Sequence, residues 1–290
     1  MKPPKFEYFA PETLAEATAL LAEHGDDAKI LAGGQSLMPM LNMRMVRPQV
    51  LVDLNGVADL GGVEQHLGGG LTIGALTRQR ELERSPVVRE AAPVISAAMP
   101  YLGHVQIRNR GTIGGSLSHA DPAAELPALC TALDAQFVLT SSSGERTVPA
   151  RDFFVTDLTT ALEAQEILTQ VRIPPPVDGS SWGFYEVCRR EGDFALAGAV
   201  CMVHLDASGT CQDARIILFG VGGAPVRADA GVGALIGTKP DAASLQKAAD
   251  AVSQELEPPG DIHASTQYRK EVGGVVVRRA LAQALEGRSQ

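Results

Sequence analysis

Apolar residues occur along the chain in short runs separated by polar or glycine-rich turns, a pattern that predicts alternating strands and helices. The run at 6–9 predicts an aromatic strand, and Thr13, three residues before Glu16, has the capping-box spacing that begins a helix. The apolar run at 28–32 predicts a second strand, which leads directly into a pair of glycines at 33–34. The N-terminal unit is therefore predicted to be strand, helix, strand and loop.

The middle of the chain continues this alternation. A capping residue followed by proline predicts that helices begin at Ser85–Pro86 and at Asp121–Pro122. The methionine-rich stretch at 37–45 is predicted to fill the core. Five further strands are predicted, at 50–54, 71–75, 137–140, 146–148 and 166–173. The strands at 137–140 and 146–148 are predicted to form a hairpin.

A proline- and serine-rich stretch at 174–181 is the predicted domain boundary, because three consecutive prolines cannot join a central strand. We place the cut near Pro176, which gives a first domain of residues 1–176 and a second of residues 177–290. Within the first domain, sub-lobes are expected at about 1–56 and 57–176.

Beyond this boundary, apolar runs at 195–205 and 211–221 predict a long antiparallel hairpin. Two amphipathic helices follow, one through Leu245 and Leu256 and the other from Tyr268 towards the end of the chain. A sheet backed by helices that come later in the sequence is an α+β pattern. The predicted fold class is therefore α+β.

Composition and charge exclude several classes of function. The 290 residues carry a formal net charge of −9, which disfavours nucleic acid as a partner. No leader sequence and no apolar stretch of about 20 residues is found, so we expect a cytoplasmic protein without a membrane span. The four cysteines lack C-x-x-C spacing, and neither they nor the six histidines predict a metal site on this chain.

The candidate chemistry lies in two glycine pairs, in residues 32–36 (AGGQS) and 112–116 (TIGGS), each after an apolar, strand-like stretch. Backbone without Cβ atoms can approach a pyrophosphate closely and direct N–H groups at it. Each pair alone is equally compatible with a plain tight turn. Neither G-x-G-x-x-G nor G-x-x-x-x-G-K-[ST] occurs, so a dinucleotide would be held by a scaffold other than a Rossmann fold or a P-loop.

Longer sequence motifs around both glycine pairs resemble those of a known family. Residues 29–37 (KILAGGQSL) and 107–116 (IRNRGTIGGS), with Asp121-Pro122 and residues 125–127 (ELP), resemble the FAD-binding medium subunit of molybdenum hydroxylases. Residues 189–193 (RREGD) extend the resemblance to that family's C-terminal flavoprotein domain. The family includes carbon monoxide dehydrogenase medium subunits and the flavin domain of xanthine dehydrogenase. The resemblance implies a two-lobed FAD-binding domain of the PCMH (vanillyl-alcohol oxidase-like) type, then an antiparallel sheet with helices.

The resemblance also implies site residues. The two glycine segments would hold the pyrophosphate through backbone N–H groups, and Glu125, with Asp121 as the competing acid, would hold nucleotide hydroxyls. Arg108 and Arg110 are expected to be solvated surface residues. No catalytic acid, base or nucleophile is expected. The implied cofactor-binding residues, with Glu186 as the alternative to Tyr185, are Lys29, Leu31, Ala32, Gly33, Gly34, Gln35, Ser36, Leu37, Leu102, Ile107, Thr112, Gly114, Gly115, Ser116, Asp121, Glu125, Leu168 and Tyr185.

The function that the resemblance implies is that of an oxidoreductase subunit. FAD on this chain would take electrons from [2Fe–2S] clusters on a small partner subunit and pass them to an external acceptor. A large partner subunit would oxidise the substrate, such as an N-heterocycle, at a molybdenum cofactor, and the complex is expected to be a dimer of heterotrimers. The alternatives are a self-contained FAD oxidase of the same fold and a flavin-free structural subunit.

Overall fold

The computed structural model describes residues 2–286 and begins with a small parallel sheet. Strands β1 (Glu7–Phe9), β2 (Ala28–Leu31) and β3 (Val50–Asp53) pair in the order β1-β3-β2. Helix α1 (Leu14–His24) joins the first two strands, and α2 (Leu37–Asn42) follows the first glycine segment. The Thr13 side chain caps α1 by accepting a hydrogen bond from the Glu16 N–H, as the sequence predicts.

The second sheet is antiparallel and has five strands, in the order β4-β5-β10-β6-β7. A separate two-stranded ribbon pairs β8 with β9. The strands are β4 (Val63–Gln65), β5 (Leu71–Gly74), β6 (Gln136–Ser141), β7 (Gly144–Pro149), β8 (Phe154–Thr156), β9 (Thr159–Thr160) and β10 (Ile167–Ile173). Because β6 and β7 are joined by a two-residue turn, the hairpin predicted there is confirmed.

Most of the helices of this middle lobe lie between β5 and β6, and they carry the second glycine segment. They are α3 (Gln79–Arg84), α4 (Pro86–Ala91), α5 (Pro93–Ala98), α6 (Val105–Arg110), α7 (Ile113–His119) and α8 (Glu125–Ala132), with α9 (Ala150–Phe153) after β7. The Ser85 side chain caps α4 by accepting a hydrogen bond from the Val88 N–H, which confirms the predicted start.

The third sheet is antiparallel and follows the proline-rich stretch. Its four strands pair in chain order: β11 (Ser180–Cys188), β12 (Ala195–Leu205), β13 (Cys211–Phe219) and β14 (Val226–Arg227). The helices after it are α10 (Asp229–Gly233), α11 (Ala242–Glu255) and α12 (Thr266–Glu286), and none of the helices in residues 2–286 has the length and apolar character needed to cross a bilayer.

The third sheet is buried on both faces. Ala199 and Cys201 of β12 pack towards α11 and α12, whereas Phe184, Val200 and Phe219 join the core of the middle lobe. Side chains alternate between the faces of a strand, so one strand can contribute to two cores. The C-terminal sheet is thus continuous in packing with the lobe that carries the second glycine segment.

Four local predictions are wrong. Strand β11 is absent from the sequence-based prediction, and the stretch before the second glycine segment, predicted to be strand-like, contains α6. Helix α8 begins at Glu125, because the Asp121 carboxylate accepts from the Ala123 N–H and caps a turn. The methionine-rich stretch lies at the surface, where the Met45 side chain is 67% exposed.

The contact between β11 and α12 provides a test of the packing. A Cβ atom added to Gly183 would overlap the Ala280 carbonyl oxygen and lie 2.7 Å from its carbon. Gly183→Ala is therefore expected to lower the free energy of unfolding by about 3 kcal/mol, as overpacking does in a core. Urea denaturation measures this loss. The control is Gly233→Ala in α10, where an added Cβ meets no atom within 4 Å; an equal effect of both substitutions would contradict the packing.

Candidate functional site

A cleft of about 750 Å³ brings the two glycine segments together. Residues 32–37, which follow β2, line one side. Gly111 and Thr112, which join α6 to α7, contribute to another, together with Gly114, Gly115 and Ser116 of α7. Loops that are 80 residues apart in sequence therefore face the same space, as the sequence analysis expects.

The first glycine segment offers unpaired donors. Within residues 2–286, the backbone N–H groups of Gly33, Gly34, Gln35 and Ser36 have no hydrogen-bond acceptor. Gly34 has a φ of +71°, in the left-handed region that favours glycine. A run of exposed N–H groups in such a turn is suited to an anion.

The second glycine segment differs, because the N–H groups of residues 113–116 already have acceptors. Ile113 donates to the Thr77 carbonyl at 3.1 Å and Gly114 to the Ala75 carbonyl at 2.8 Å. The Gly115 N–H donates to the Thr112 side chain, which caps α7. Within residues 2–286, the Thr112 N–H has no acceptor, so the expectation that this segment presents free N–H groups to a phosphate stands for Thr112 alone.

The two segments touch through backbone alone. A Cβ atom on Gly33 would lie 2.5 Å from the Arg110 carbonyl oxygen and 2.7 Å from the Gly111 Cα. A Cβ atom on Gly114 would lie 2.5 Å from the Ala75 side chain. These glycines therefore permit close packing between protein segments, in addition to any approach to a ligand.

Two side chains that the sequence analysis missed also join the segments. Asn55 donates to the Ala32 carbonyl at 2.9 Å and accepts from the Arg78 guanidinium at 2.6 Å. The same guanidinium donates to the carbonyl of Arg110. No sequence motif marks this bridge, because its partners are main-chain atoms.

Arg108 fixes an apolar part of the cleft wall. Its buried guanidinium donates to the Leu102 carbonyl at 3.1 Å and the Gly103 carbonyl at 2.7 Å, and it pairs with Glu83 at 2.8 Å. The expectation of a solvated arginine is wrong here, since these acceptors satisfy the charge inside the lobe. Arg110 remains exposed, as expected.

Glu125 is the buried acid of the cleft wall. Burial of the carboxyl raises the pKa of Glu125 to about 7, and the nearby Asp121 adds to the effect. By contrast, Arg146 binds both oxygens of Glu166, at 2.6 and 2.7 Å, and lowers the pKa of that carboxyl. The Arg146–Glu166 pair anchors residues 161–166, several of which also line the cleft.

The cleft wall contains most of the residues implied by the resemblance. Those that line it are Lys29, Ala32, Gly33, Gly34, Gln35, Ser36, Leu37, Leu102, Ile107, Thr112, Gly114, Gly115, Ser116, Asp121, Glu125 and Leu168. Leu31 lines an adjoining pocket instead.

Tyr185 does not line the cleft. It lies on the face of β11 that packs towards α12, and its ring centroid is 4.8 Å from the Arg279 guanidinium carbon. The next residue, Glu186, points to the opposite face because side chains alternate along a strand. An alternation argument over 180–188 would have separated these two candidates, but the sequence analysis predicted no strand there.

The C-terminal domain contributes a loop to the cleft. Gly192, Asp193 and Phe194 line it, and Gly192 lies so close to His104 that an added Cβ would be 2.6 Å from the imidazole. The sequence contains a signal for this loop, because residues 189–193 (RREGD) carry the resemblance to the C-terminal flavoprotein domain. The sequence analysis does not assign them to the site.

Family models match most of the chain. Residues 4–176 match the model described as FAD binding domain in molybdopterin dehydrogenase. Residues 182–284 match the CO dehydrogenase flavoprotein C-terminal domain.

Individual proteins are similar over their whole length. The chain is 43% identical to the 6-hydroxypseudooxynicotine dehydrogenase complex subunit alpha of Paenarthrobacter nicotinovorans, covering 98% of this chain and 96% of the relative. It is 39% identical to the carbon monoxide dehydrogenase medium chain of Hydrogenophaga pseudoflava, covering 97% of each. The quinoline 2-oxidoreductase structure from Pseudomonas putida 86 superposes with a TM-score of 0.95 at 38% identity, covering 100% of both chains.

The bridge between the glycine segments predicts the effect of a substitution. Asn55→Ala removes the hydrogen bonds to Ala32 and Arg78, so the hydrogen-bonded backbone amides of residues 111 and 113–116 are expected to exchange faster with deuterated solvent. The expected loss of stability is about 1 kcal/mol. Asn109→Ala, at an exposed asparagine of α6, is the matched control. Unchanged exchange of these amides would argue against the bridge.

Proposed function

Because the chain belongs to the family of FAD-binding medium subunits of molybdenum hydroxylases, we propose that it carries electrons through FAD held in this cleft. The electrons would come from [2Fe–2S] clusters of a small partner subunit and leave to an external acceptor. The observation that carries the proposal is the cleft itself, where unpaired N–H groups of the first glycine segment lie in the same wall as Glu125.

The cleft suits FAD in size and in chemistry. Its volume of about 750 Å³ lies in the range of small-molecule and cofactor sites. The N–H groups of Gly33 to Ser36 would donate to the pyrophosphate, and Glu125 would accept from nucleotide hydroxyls. Leu102, Ile107 and Leu168 supply apolar surface for the flavin ring. When bound, FAD accepts and releases electrons singly or in pairs.

The protein residues position the cofactor and shape its surroundings. Arg108 holds the backbone at Leu102 and Gly103, and the Asn55–Arg78 bridge holds the first glycine segment against the second. We propose that the remaining predicted contact residues also help to hold FAD in the cleft. They are Lys29, Leu31, Ala32, Gln35, Leu37, Thr112, Gly114, Gly115, Ser116 and Asp121.

We also propose that the FAD-binding domain ends near Pro176, where the first family match ends and the second has not yet begun.

The substrate and partners follow from the relatives. Those whose names identify 6-hydroxypseudooxynicotine, nicotine and caffeine as substrates support an N-heterocycle, oxidised on a large subunit that holds the molybdenum cofactor. Gln35 stands where the resemblance places histidine in carbon monoxide dehydrogenase subunits, which disfavours CO. A dimer of heterotrimers is the proposed assembly.

The first test concerns electron transfer. The chain reconstituted with FAD is expected to be yellow, and an N-heterocycle such as nicotine should bleach it anaerobically only when the large and small subunits are present. Bleaching of the chain by itself would identify a self-contained oxidase. A colourless protein that binds no FAD after reconstitution would identify a structural subunit.

The second test concerns Glu125. Glu125→Gln removes a charged acceptor, so the dissociation constant for FAD is expected to rise about 10- to 100-fold. Fluorescence quenching of FAD on titration with flavin-free protein measures this. Glu90→Gln, an exposed glutamate of α4, is the control and should bind like the wild type. Equal affinity in both variants would remove Glu125 from the binding site.

A further inference from the structure

Glu186 is a buried acid without a partner. It comes from β11 of the C-terminal domain and is 9% exposed, and both of its carboxyl oxygens lack a hydrogen-bond partner. An ionised carboxylate left unpaired in such a place is strongly unfavourable. Burial therefore favours the protonated, neutral form of Glu186.

The charged group that acts on Glu186 is another acid. Helix α8, which begins at Glu125, packs against β12, the strand that pairs with β11. Burial raises the pKa of Glu186 to about 8, and the charge of Glu125 adds to the effect. Neither carboxyl forms a hydrogen bond or ion pair with a basic side chain in residues 2–286. Two like charges in a desolvated site cannot both be maintained without cost.

The surroundings add negative charge, and although Lys29 lines the same cleft, it forms no ion pair with either acid in residues 2–286. Asp121 acts on Glu125, and Cys188, two residues along β11, feels the charges of Glu186 and Asp193. The facing positions on β12 and β13 are Gly198 and Phe219, which are uncharged, and His119 of α7 lines the same cleft. Within residues 2–286, no group of three or more metal-ligating side chains is found, so a bound metal ion does not account for the pair.

We infer that Glu125 and Glu186 form an acid pair that retains one proton when FAD is bound, with Glu186 protonated and Glu125 ionised. This inference rests on the proposed function, because it assigns Glu125 to the ligand hydroxyls. Glu186 does not line the cleft and is a positioning residue in this arrangement: as a neutral acid it allows Glu125 to carry the charge that accepts hydrogen bonds.

The pair makes FAD binding depend on pH in both directions. At acidic pH, the flavin-free pair holds two protons, and binding must release the one on Glu125. At alkaline pH, the flavin-free pair loses its last proton, whereas the filled, drier cleft requires Glu186 to keep it. Affinity for FAD is therefore expected to be highest near pH 7 to 8, where the two carboxyls titrate, and to fall on either side.

Glu186→Gln distinguishes the decrease in FAD affinity at acidic pH, the acidic limb, from the decrease at alkaline pH, the alkaline limb. The amide keeps the shape of the side chain but cannot ionise, so the alkaline decrease in affinity is expected to disappear. The acidic limb should stay at nearly the same pH, since Glu186 is neutral throughout it and glutamine is neutral as well. In the wild-type chain, each limb should approach a tenfold change in dissociation constant per pH unit, the slope for one linked proton. Glu186→Asp, which retains a carboxyl, should retain the alkaline limb.

The experiment measures FAD binding to the full flavin-free chain by calorimetry from pH 6 to 9, in two buffers of different ionisation enthalpy. Proton release on the acidic side and uptake on the alkaline side are expected for the wild type, and the uptake should be absent from Glu186→Gln. An alkaline limb and proton uptake that persist unchanged in Glu186→Gln would overturn the inference. Glu90→Gln serves as the control for an unrelated surface acid.

A second measurement does not require FAD. Infrared difference spectra of the flavin-free chain at pH 7.5, wild type minus Glu186→Gln, should contain a protonated-carboxyl C=O band that shifts in deuterated water. Absence of that band would refute the buried neutral acid. If the wild type binds no FAD at any pH but shows this band, the proposed function fails while the protonated Glu186 stands; if FAD binds independently of pH, the inference alone fails.

Discussion

The site depends on a close contact between the backbone of Gly33 and the backbone of Arg110 and Gly111. The first glycine segment ends a strand of the small parallel sheet, and the second begins a helix of the middle lobe. These lobes share no sheet, so the cleft exists only where their loops meet. Side chains on the glycines would hold the loops apart, and the Asn55–Arg78 bridge keeps them together.

The two glycine segments have similar sequences but different structural roles. Both contain a glycine pair and a serine, yet the N–H groups of residues 33–36 are free within residues 2–286, whereas those of residues 113–116 have acceptors. In the second, Thr112 caps α7 and Gly114 packs on Ala75, so its glycines serve the fold. The anion-binding capacity of the cleft therefore resides mainly in residues 33–36, and the second segment supplies the rigid surface against which they are held.

Sequence patterns predicted the parts of this molecule that local rules determine. The cap at Thr13, the hairpin of β6 and β7, and the common location of the glycine segments were all accessible from residue spacing or from family strings. The buried Arg108 and the Asn55–Arg78 bridge were not, because polar side chains that bond to main-chain carbonyls leave no periodic signal. Composition likewise could not show that Met38, Met43 and Met45 are exposed, since methionine is common in cores.

Strand β11 shows how one missed element changes a site. Its alternation places Tyr185 against Arg279 and places Glu186 in the interface with the middle lobe. The register cannot slip by one residue, because Gly183 packs directly on the Ala280 backbone and a larger side chain would not fit there. The contact of Gly183 thus decides that an acid, and not a phenol, lies on the face of β11 that packs on the middle lobe. The C-terminal domain therefore contributes to the electrostatics of the cleft as well as to its walls.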